Sequence, residues 1–384
     1  MTEKIFWQDS YCTEFDATIL DQFAVPGGHA VILDRTCFYA TSGGQPNDLG
    51  TLQSVPVQDV RIEGERFCHI VPSSFDTSSV HGVLDWTRRF DHMQQHTGQH
   101  ILSAAFFRLF QAETSSFHLG EEYCSIELDK PNLKDAQIRD AEDLANQVIL
   151  SATRVDSFFV DAARAKEYPL RKQSDLAEAL RLIQIGDFDL SPCSGTHVRN
   201  TGEIGMVFVY GFEKMPQTLK VLFLCGNRVR TQYGKDLTTL KKLSKSLTTS
   251  FELLPESVDK LQSQIKTLRR ECNQLMEEQL KNEAQQIAKS GFPLVLVGQR
   301  PYSDLRVLAQ NLSKSPGALG ALASAMDHRV VFFKNPAVTA DLKAVFQKFQ
   351  TTTSAKGGGA PHFIEAGGFQ VDAGTEALLR QVLV

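Results

Sequence analysis

Two pairs of metal-ligand side chains, each with a four-residue spacing, constrain the fold of this sequence more than any other feature. His96 and His100 lie in a segment with helical periodicity, so their imidazole rings project from one face of a helix. Cys193 and His197 repeat the spacing much later in the chain. Three imidazoles and one thiolate are ligand types that tetrahedral zinc prefers. The sequence therefore predicts a fold that brings two distant segments together around one zinc ion.

The histidine and cysteine pairs also have an explanation that involves no metal. A single histidine pair at helical spacing is more often solvated or part of a core than a ligand pair. The second pair, which includes a cysteine in a polar turn, makes chance a weaker explanation. His92, one helical turn before His96, is interpreted as solvated or as a neighbour of the ligands. The chain has no His-Glu-x-x-His signature, which disfavours a zinc protease.

Length and charge set broad limits on the class of protein. The chain has 384 residues, which suits two or three domains. Hydrophobic residues make up 42% and charged residues 22%, as in ordinary globular proteins. The net charge of -5 argues against a surface covered with positive charge, but it leaves room for a local basic face that binds nucleic acid.

Cysteine usage and hydropathy indicate the compartment. The seven cysteines are odd in number and scattered, which favours free thiols in a reducing environment over a disulfide framework. The first residues lack the basic and then apolar pattern of a signal peptide. No apolar run reaches the roughly 18 residues of a transmembrane helix. We therefore expect a cytoplasmic protein that does not span a membrane.

The hydrophobic pattern predicts the α+β class and divides the chain into four parts. Short apolar runs separated by turn formers are typical of a small β-barrel. Mixed helical and strand patterns follow, then a heptad repeat, then alternating strands and helices. The predicted parts are a β-barrel over residues 1–87, an α+β domain with the zinc site over 88–230, a helical coiled-coil arm over 231–290, and a C-terminal α/β domain over 291–384.

Three helical segments are predicted inside the second part. Residues 88–110 mix apolar periods of three and four, and residues 133–151 place apolar side chains on one face. Residues 161–180 are predicted to be helical with a break at Pro169.

A regular seam characterises the predicted arm. Apolar residues from Leu254 to Leu275 recur with alternating steps of four and three, which is the heptad pattern of a coiled coil. Such a seam fits a helix pair within one chain and equally a dimer of two chains. A homodimer through the arm or through the C-terminal domain therefore stays open.

Each of two glycine-rich stretches has two structural interpretations. Residues 38–50 include Gly43 and Gly44, which fit a hairpin loop and also a close approach to a ligand. Residues 356–368 contain three consecutive glycines, which fit a flexible loop and also a contact with RNA phosphates. Arg88, Arg89 and Lys356 are weak candidates for further phosphate contacts.

The metal-ligand pairs resemble the zinc site of the alanyl-tRNA synthetase editing domain and of its free-standing relatives, the AlaX trans-editing proteins. Threonyl-tRNA synthetase carries a similar domain. Further stretches resemble motifs of this family in the same order along the chain: residues 38–50 in the barrel, residues 201–205 after the Cys–His pair, and residues 357–368, which are similar to the glycine motif of the DHH-associated domain. No stretch resembles the aminoacylation domain, so we expect the long form of AlaX, which edits without charging.

This resemblance implies a deacylase that hydrolyses tRNA(Ala) mischarged chiefly with serine and secondarily with glycine. The resemblance also implies zinc as the cofactor and His96, His100, Cys193 and His197 as its ligands. Zinc can activate a water molecule or hold the substrate. Four protein ligands leave no open coordination position, so both roles stay open.

Several polar residues are candidates for catalysis and for recognition of the substrate, and His118, Gln99 and Thr114 are the candidate catalytic residues. His118 precedes a glycine where the family's editing site has a polar residue, and Thr114, Ser115 and Ser116 come shortly before it. Gln99 lies beside a predicted ligand. Hydrogen bonds from these side chains could distinguish a seryl group from an alanyl group, but a polar strand edge would have the same sequence. A tRNA-binding protein with a structural zinc, and a zinc esterase for another substrate, are the alternatives.

Overall fold

The structure is a computed structural model that describes residues 2–171 and 180–383, and the statements below refer to these residues. The chain divides into two compact units, Met1–Lys242 and Leu243–Val384. The four-part division expected from the sequence stays a prediction.

The first unit begins with a barrel-like sheet. Seven antiparallel strands follow the order β6-β5-β9-β2-β3-β8-β7, and Gln58, between β6 and β7, donates a hydrogen bond to the carbonyl of Ile70 in β8. The predicted barrel is therefore confirmed as a nearly closed sheet. Its elements are β1 (Glu3–Lys4), α1 (Ile5–Gln8), β2 (Glu14–Val25), β3 (Gly28–Leu33), β4 (Arg35–Thr36), β5 (Gly50–Leu52), β6 (Val55–Val57), β7 (Asp59–Glu63), β8 (Arg66–Val71) and β9 (Ser79–Leu84).

A long buried helix, α2, organises the rest of this unit. It runs from Trp86 to Phe110, as the periodicity predicted, and Asp85 caps it by accepting a hydrogen bond from the backbone of Arg88. Gly98 lets the helix approach strand β16, because a Cβ atom there would lie 2.3 Å from the Sγ atom of Cys225. The elements around it are β10 (Thr114–Leu119), β11 (Cys124–Leu128), α3 (Asp135–Leu150), β15 (Val207–Lys214) and β16 (Leu219–Cys225).

A smaller sheet, β12-β13-β14, carries the second metal-ligand segment. Its strands are β12 (Val155–Val160), β13 (Leu180–Ile185) and β14 (Asp189–Pro192). Helix α4 (Ala162–Ala165) confirms the start of the helical stretch predicted for 161–180, but the prediction is wrong for residues 166–171, which are not helical, and for Leu180, which begins β13. Positions 172–179 of that prediction lie outside the described residues. Cys193 directly follows β14, and a 3₁₀ helix (Thr201–Ile204) precedes β15.

The second unit contains a mixed sheet between two helical layers. The strand order is β17-β18-β19-β21-β20, in which β17 and β18 are parallel and the other pairs are antiparallel. Alternate residues of β18 and β19 face opposite layers, α6 with α7 on one side and α8 with α9 on the other. The elements are α5 (Asn227–Leu247), which begins in the first unit, then α6 (Leu254–Ala288), β17 (Leu294–Gly298), α7 (Tyr302–Leu312), β18 (Leu319–Ser324), β19 (Arg329–Lys334), α8 (Leu342–Thr352), β20 (Lys356–Ala360), β21 (Phe363–Gly367) and α9 (Thr375–Leu383).

The consecutive glycines near the C-terminus form strand β20 and not a flexible loop, so the loop interpretation is wrong. A Cβ atom at Gly357 would lie 2.1 Å from the carbonyl oxygen of Glu365, and one at Gly359 would lie 2.2 Å from that of Phe363. The absence of side chains at these two positions therefore lets β20 lie close to β21.

Helix α6 confirms the helical part of the predicted arm but not its coiled coil. The seam residues Val258, Leu261, Ile265, Leu268 and Leu275 are all exposed. The coiled-coil pairing of this seam stays a prediction. No helix within residues 2–171 and 180–383 has the length and apolar character needed to cross a lipid bilayer.

A buried ion pair joins α2 to the barrel. Arg89 is 1% exposed and Asp48 is 0% exposed, and the guanidinium donates hydrogen bonds from Nε and Nη2 to the carboxylate. Asp48 also accepts a hydrogen bond of 2.6 Å from the backbone of Tyr39. Arg89 is thus a structural residue, and the prediction that it contacts a phosphate is wrong.

We expect Arg89→Met to lower the free energy of unfolding by about 3–5 kcal/mol, because it leaves the Asp48 carboxylate buried without a partner. Denaturant unfolding of the full chain measures the change. Arg66→Ala removes an exposed ion pair of the same barrel and serves as the control, with an expected loss of about 0.5 kcal/mol. Equal losses of unfolding free energy in the two variants would contradict the structural role of the Arg89–Asp48 ion pair.

Candidate metal centre and substrate cleft

The four predicted ligand residues meet in the first unit. One ligand atom from each of His96, His100, Cys193 and His197 lies within 4.8 Å of the others. The Cys193 Sγ atom is 3.3 Å from Nε2 of His96 and 3.3 Å from Nε2 of His197. The two distant segments therefore come together as the spacing required.

In each of the three imidazoles, a hydrogen bond holds Nδ1 and leaves Nε2 for a metal ion. Nδ1 of His96 is 2.7 Å from Oε1 of Gln45, and Nδ1 of His100 is 3.2 Å from Oδ2 of Asp189. Nδ1 of His197 is 3.2 Å from Oγ1 of Thr97. When Nδ1 carries the proton in these bonds, Nε2 keeps a free lone pair on the side of the Cys193 sulfur.

The loop with the cysteine is also held in place. Arg181 donates from Nη1 to the carbonyls of Cys193 at 3.1 Å and Gly195 at 2.8 Å, and the indole of Trp7 donates to the carbonyl of Ser194 at 2.9 Å. A Cβ atom at Gly195 would lie 2.2 Å from the His96 ring, so glycine is needed for this close approach. The sulfur is thereby positioned before any ion binds.

The electrostatics of the cluster favour a thiolate among imidazoles. Burial alone raises the pKa of the Cys193 thiol, but the adjacent His96 and His197 outweigh burial and hold this pKa well below its usual value. Burial lowers the pKa of His197 to about 3, although Cys193 opposes it. Burial alone also lowers the pKa of His100, but hydrogen bonds to Asp189 and Cys193 raise it to about 9. A metal ion would displace the His100 proton, because a ligand imidazole must offer a lone pair.

These observations fit a metal ion. The donor set is one sulfur and three nitrogens, every imidazole has an outer hydrogen-bond partner, and the three histidines are buried. The four residues could therefore hold a metal ion.

A cleft of about 470 Å³ opens beside this cluster. Three of the four ligand residues contribute to its walls, so the cluster is reached from the solvent side of the cleft. The residues that line it are Gly43, His96, Gln99, His100, Thr114, Ser115, Ser116, Phe117, Arg171, Ser191, Pro192, Cys193 and Ser194.

Two of the predicted recognition residues, Gln99 and Thr114, are joined by a residue that the sequence reasoning missed. Ser103 Oγ accepts a hydrogen bond of 2.8 Å from Nε2 of Gln99 and one of 2.8 Å from Oγ1 of Thr114. Ser103 follows Gln99 by one helical turn, so helical periodicity could have identified it.

His118 lies elsewhere on strand β10. Its neighbour Phe117 lines the cleft with its ring centroid 5.2 Å from that of His96. The exposed His118 does not contribute to the cleft wall formed by the described residues.

The glycine-rich loop of the barrel reaches into the site. Oε1 of Gln45 accepts from His96 and from the backbone of Thr196 at 3.2 Å, and its Nε2 donates to Oγ1 of Thr196 at 2.9 Å. Gly44 has φ +84°, and a Cβ atom there would lie 2.4 Å from the Phe117 carbonyl oxygen. The loop therefore contacts both metal-ligand segments, which the hairpin interpretation of residues 38–50 did not include.

A match to a known family indicates the class of domain that contains Cys193 and His197. Residues 180–215, which contain Cys193 and His197, match the family described as the threonyl and alanyl tRNA synthetase second additional domain. The segment that carries the second metal-ligand pair is thus similar to a domain found in these two synthetases.

Longer sequence matches identify the family to which the chain belongs. The chain is 29% identical over 381 residues to the alanyl-tRNA editing protein AlaX-L of Pyrococcus horikoshii, with 94% of this chain and 93% of that protein covered. It is 33% identical over 286 residues to the alanyl-tRNA editing protein Aarsd1 of Danio rerio, with 68% of each covered. The alanine–tRNA ligase of Pyrococcus furiosus is 28% identical over 335 residues, which are 82% of this chain and 36% of the ligase. The chain belongs to the family of alanyl-tRNA editing proteins, and the resemblance noted in the sequence is confirmed.

We expect Gln45→Ala to weaken metal binding by about 10- to 100-fold, because it removes the hydrogen bond that orients His96. Competition with a chromophoric chelator measures the dissociation constant for Zn²⁺. Gln58→Ala, at an exposed position of the same barrel, is the control and should bind Zn²⁺ as the unaltered chain does. Identical affinities for all three proteins would show that Gln45 does not position His96.

Proposed function

We propose that this chain is an aminoacyl-tRNA deacylase, a carboxylic ester hydrolase that removes a wrongly attached amino acid from tRNA(Ala). The substrate we assign is tRNA(Ala) carrying serine, and with lower preference glycine. One observation carries the proposal: the four side chains that could hold a metal ion lie at the wall of an open cleft in a member of the alanyl-tRNA editing family.

Zinc is the metal we propose, held by His96, His100, Cys193 and His197. It supplies Lewis-acid character when bound, either for a water molecule or for the substrate's polar groups. The protein's own residues hold the cluster in position through Gln45, Asp189 and Thr97, as described above. Asp189 is itself fixed by Arg171, whose Nε donates to Oδ1 at 2.7 Å. Fixed ligand geometry supports catalysis because the reacting groups need no reorganisation.

Selectivity for serine is proposed to come from the Gln99–Ser103–Thr114 network. The network offers hydroxyl and amide groups near the metal cluster, where a seryl hydroxyl could exchange hydrogen bonds with them. Alanyl and glycyl groups both lack this hydroxyl and would gain none of these hydrogen bonds, which is the situation in which enzymes discriminate strongly. The network therefore accounts for faster hydrolysis of the seryl ester than of the other two esters, and it sets no order between glycine and alanine.

We also propose a catalytic role for His118, whose exposed position on β10 leaves it accessible to a bound RNA. We further propose a cytoplasmic location. A homodimer through the exposed seam of α6 or through the C-terminal part is retained as a proposal.

A purely structural metal is the main alternative function class. The burial of the three imidazoles favours it, because structural zinc sites are closed and have four protein ligands. A catalytic metal and a structural metal differ in the effect of altering one ligand. Altering a ligand of a catalytic metal removes activity and keeps the fold, whereas altering a ligand of a structural metal removes the fold.

We expect the chain supplied with Zn²⁺ to hydrolyse seryl-tRNA(Ala) fastest, glycyl-tRNA(Ala) more slowly and alanyl-tRNA(Ala) slowest. Release of radiolabelled amino acid measures the three rates. Cys193→Ser should lose at least about 100-fold in rate while circular dichroism shows a retained fold, since a perturbed ligand sphere affects the transition state. Cys272→Ser, at an exposed position, is the control.

Equal inertness towards the three substrates would refute the proposed deacylase. Loss of fold in Cys193→Ser and in each histidine variant would instead indicate a structural metal.

We expect Thr114→Val to reduce kcat/KM for seryl-tRNA(Ala) by about tenfold and to change that for glycyl-tRNA(Ala) much less, because one hydrogen bond of the network is lost. Thr77→Val, at an exposed barrel position, is the control. His118→Ala in the same assay tests its assigned role. Equal effects of Thr114→Val on both substrates would mean that the network does not read the hydroxyl.

A further inference from the structure

Two cysteines that are 25 positions apart in the sequence lie side by side in the first unit. The Sγ atoms of Cys12 and Cys37 are 2.9 Å apart, and both thiols are free. A disulfide has an S–S distance of about 2.05 Å, so the two atoms need to approach by only about 0.9 Å to bond. Closeness in space was not visible in the sequence, where the cysteines look scattered.

Arg89 holds the two segments that carry these cysteines. Its Nη1 donates to the carbonyl of Ser10 at 2.9 Å, and its Nη2 donates to the carbonyl of Cys37. Because Asp48 fixes the guanidinium in turn, the backbone on both sides of the thiol pair is anchored by one buried cation. The pair is therefore preorganised and does not depend on a chance encounter of loops.

The two thiols differ in accessibility, which suggests the order in which they react. Cys37 is fully buried and Cys12 is partly exposed. The Cys37 thiol donates to Cys12 Sγ, and the Cys12 thiol donates to the carbonyl of Glu14 at 3.3 Å. Burial raises the pKa of Cys37, with the adjacent Cys12 as a further cause, so Cys37 stays protonated while Cys12 meets the solvent.

We propose that Cys12 and Cys37 form a reversible disulfide site whose oxidising substrate is a hydroperoxide. The Cys12 thiolate attacks the outer peroxide oxygen, the O–O bond breaks, and the sulfur becomes a sulfenic acid while the leaving oxygen takes a proton to form water or an alcohol. The Cys37 sulfur then attacks the Cys12 sulfur, the S–O bond breaks, and water leaves with the Cys37 proton. Two thiols and one hydroperoxide thus give one disulfide, one water and a second water or an alcohol, and a dithiol reductant reverses the change.

The disulfide would fasten the segment after α1 to the start of the segment that leads into the glycine-rich loop. It would add a covalent link beside the Arg89–Asp48 ion pair, where the barrel meets the metal-bearing helix. Cross-linking a loop of this length restricts the unfolded chain, which stabilises the fold. The site does not use the metal ligands and does not depend on the proposed deacylase activity.

The chain itself makes the product easy to identify. Arg35 lies between the two cysteines, and trypsin cleavage after Lys4, Arg35 and Arg61 places Cys12 in peptide 5–35 and Cys37 in peptide 36–61. The full chain, supplied with Zn²⁺, is treated with hydrogen peroxide, its remaining thiols are blocked with iodoacetamide, and the unreduced digest is analysed by mass spectrometry.

We expect a cross-linked pair of these two peptides in most molecules, and dithiothreitol should separate it. The melting temperature of the oxidised protein should exceed that of the reduced protein by roughly 5 °C. Cys12→Ser should abolish the link and leave Cys37 as a thiol. Cys272→Ser, which removes an exposed cysteine outside the pair, should form the link as the unaltered chain does.

Three results would overturn the proposal: both thiols unreacted under conditions that oxidise Cys272, Cys12 converted to sulfinic acid without a link, or disulfides that join two chains. The unaltered protein decides between these results, so a folding defect in either serine variant would not affect the conclusion.

Discussion

The hydrogen bond from His96 to Gln45 connects the two parts of the first unit on which the site depends. Gln45 comes from a loop of the barrel, and His96 comes from the long helix α2, while Thr196 on the second metal-ligand segment bonds to the same amide. One amide group therefore sets the distance between three segments that are far apart in sequence. Below this contact, the Arg89–Asp48 ion pair fixes the base of α2 on the same barrel. The barrel thus acts as a support for the metal centre and not as a separate module.

Regular spacing explains what the sequence could predict about this site. The four-residue spacing of His96 and His100 on α2, and of Cys193 and His197 after β14, was enough to propose one cluster, and the structure brings the four residues together. The helix from Trp86 to Phe110 and the barrel-like sheet also followed from periodicity. These features share a repeating relation between residues that lie close in sequence.

The features that could not be predicted lack such a repeat. Gln45 and Asp189 contact their histidines across 51 and 89 positions of sequence, and no local pattern marks these partners. Strand β14 has only four residues, and its polar Asp189 and Ser191 point into the structure, which reverses the usual outward pattern of polar side chains. Strand β10 also has a register shift between Thr114 and Ser116, a local irregularity that no sequence pattern marked. Long-range contacts and local irregularities therefore account for most of what the sequence did not indicate.

The donor atoms of the metal centre also restrict which ions can occupy it. Transfer RNA is accompanied by Mg²⁺, a hard ion that binds oxygen ligands in octahedral geometry. The cluster presents one sulfur and three nitrogens, and the nearby oxygens of Asp189, Gln45 and Thr97 are already engaged by the imidazoles. Magnesium that accompanies a nucleic acid would therefore compete poorly for these four residues, because their sulfur and nitrogen donors suit softer ions.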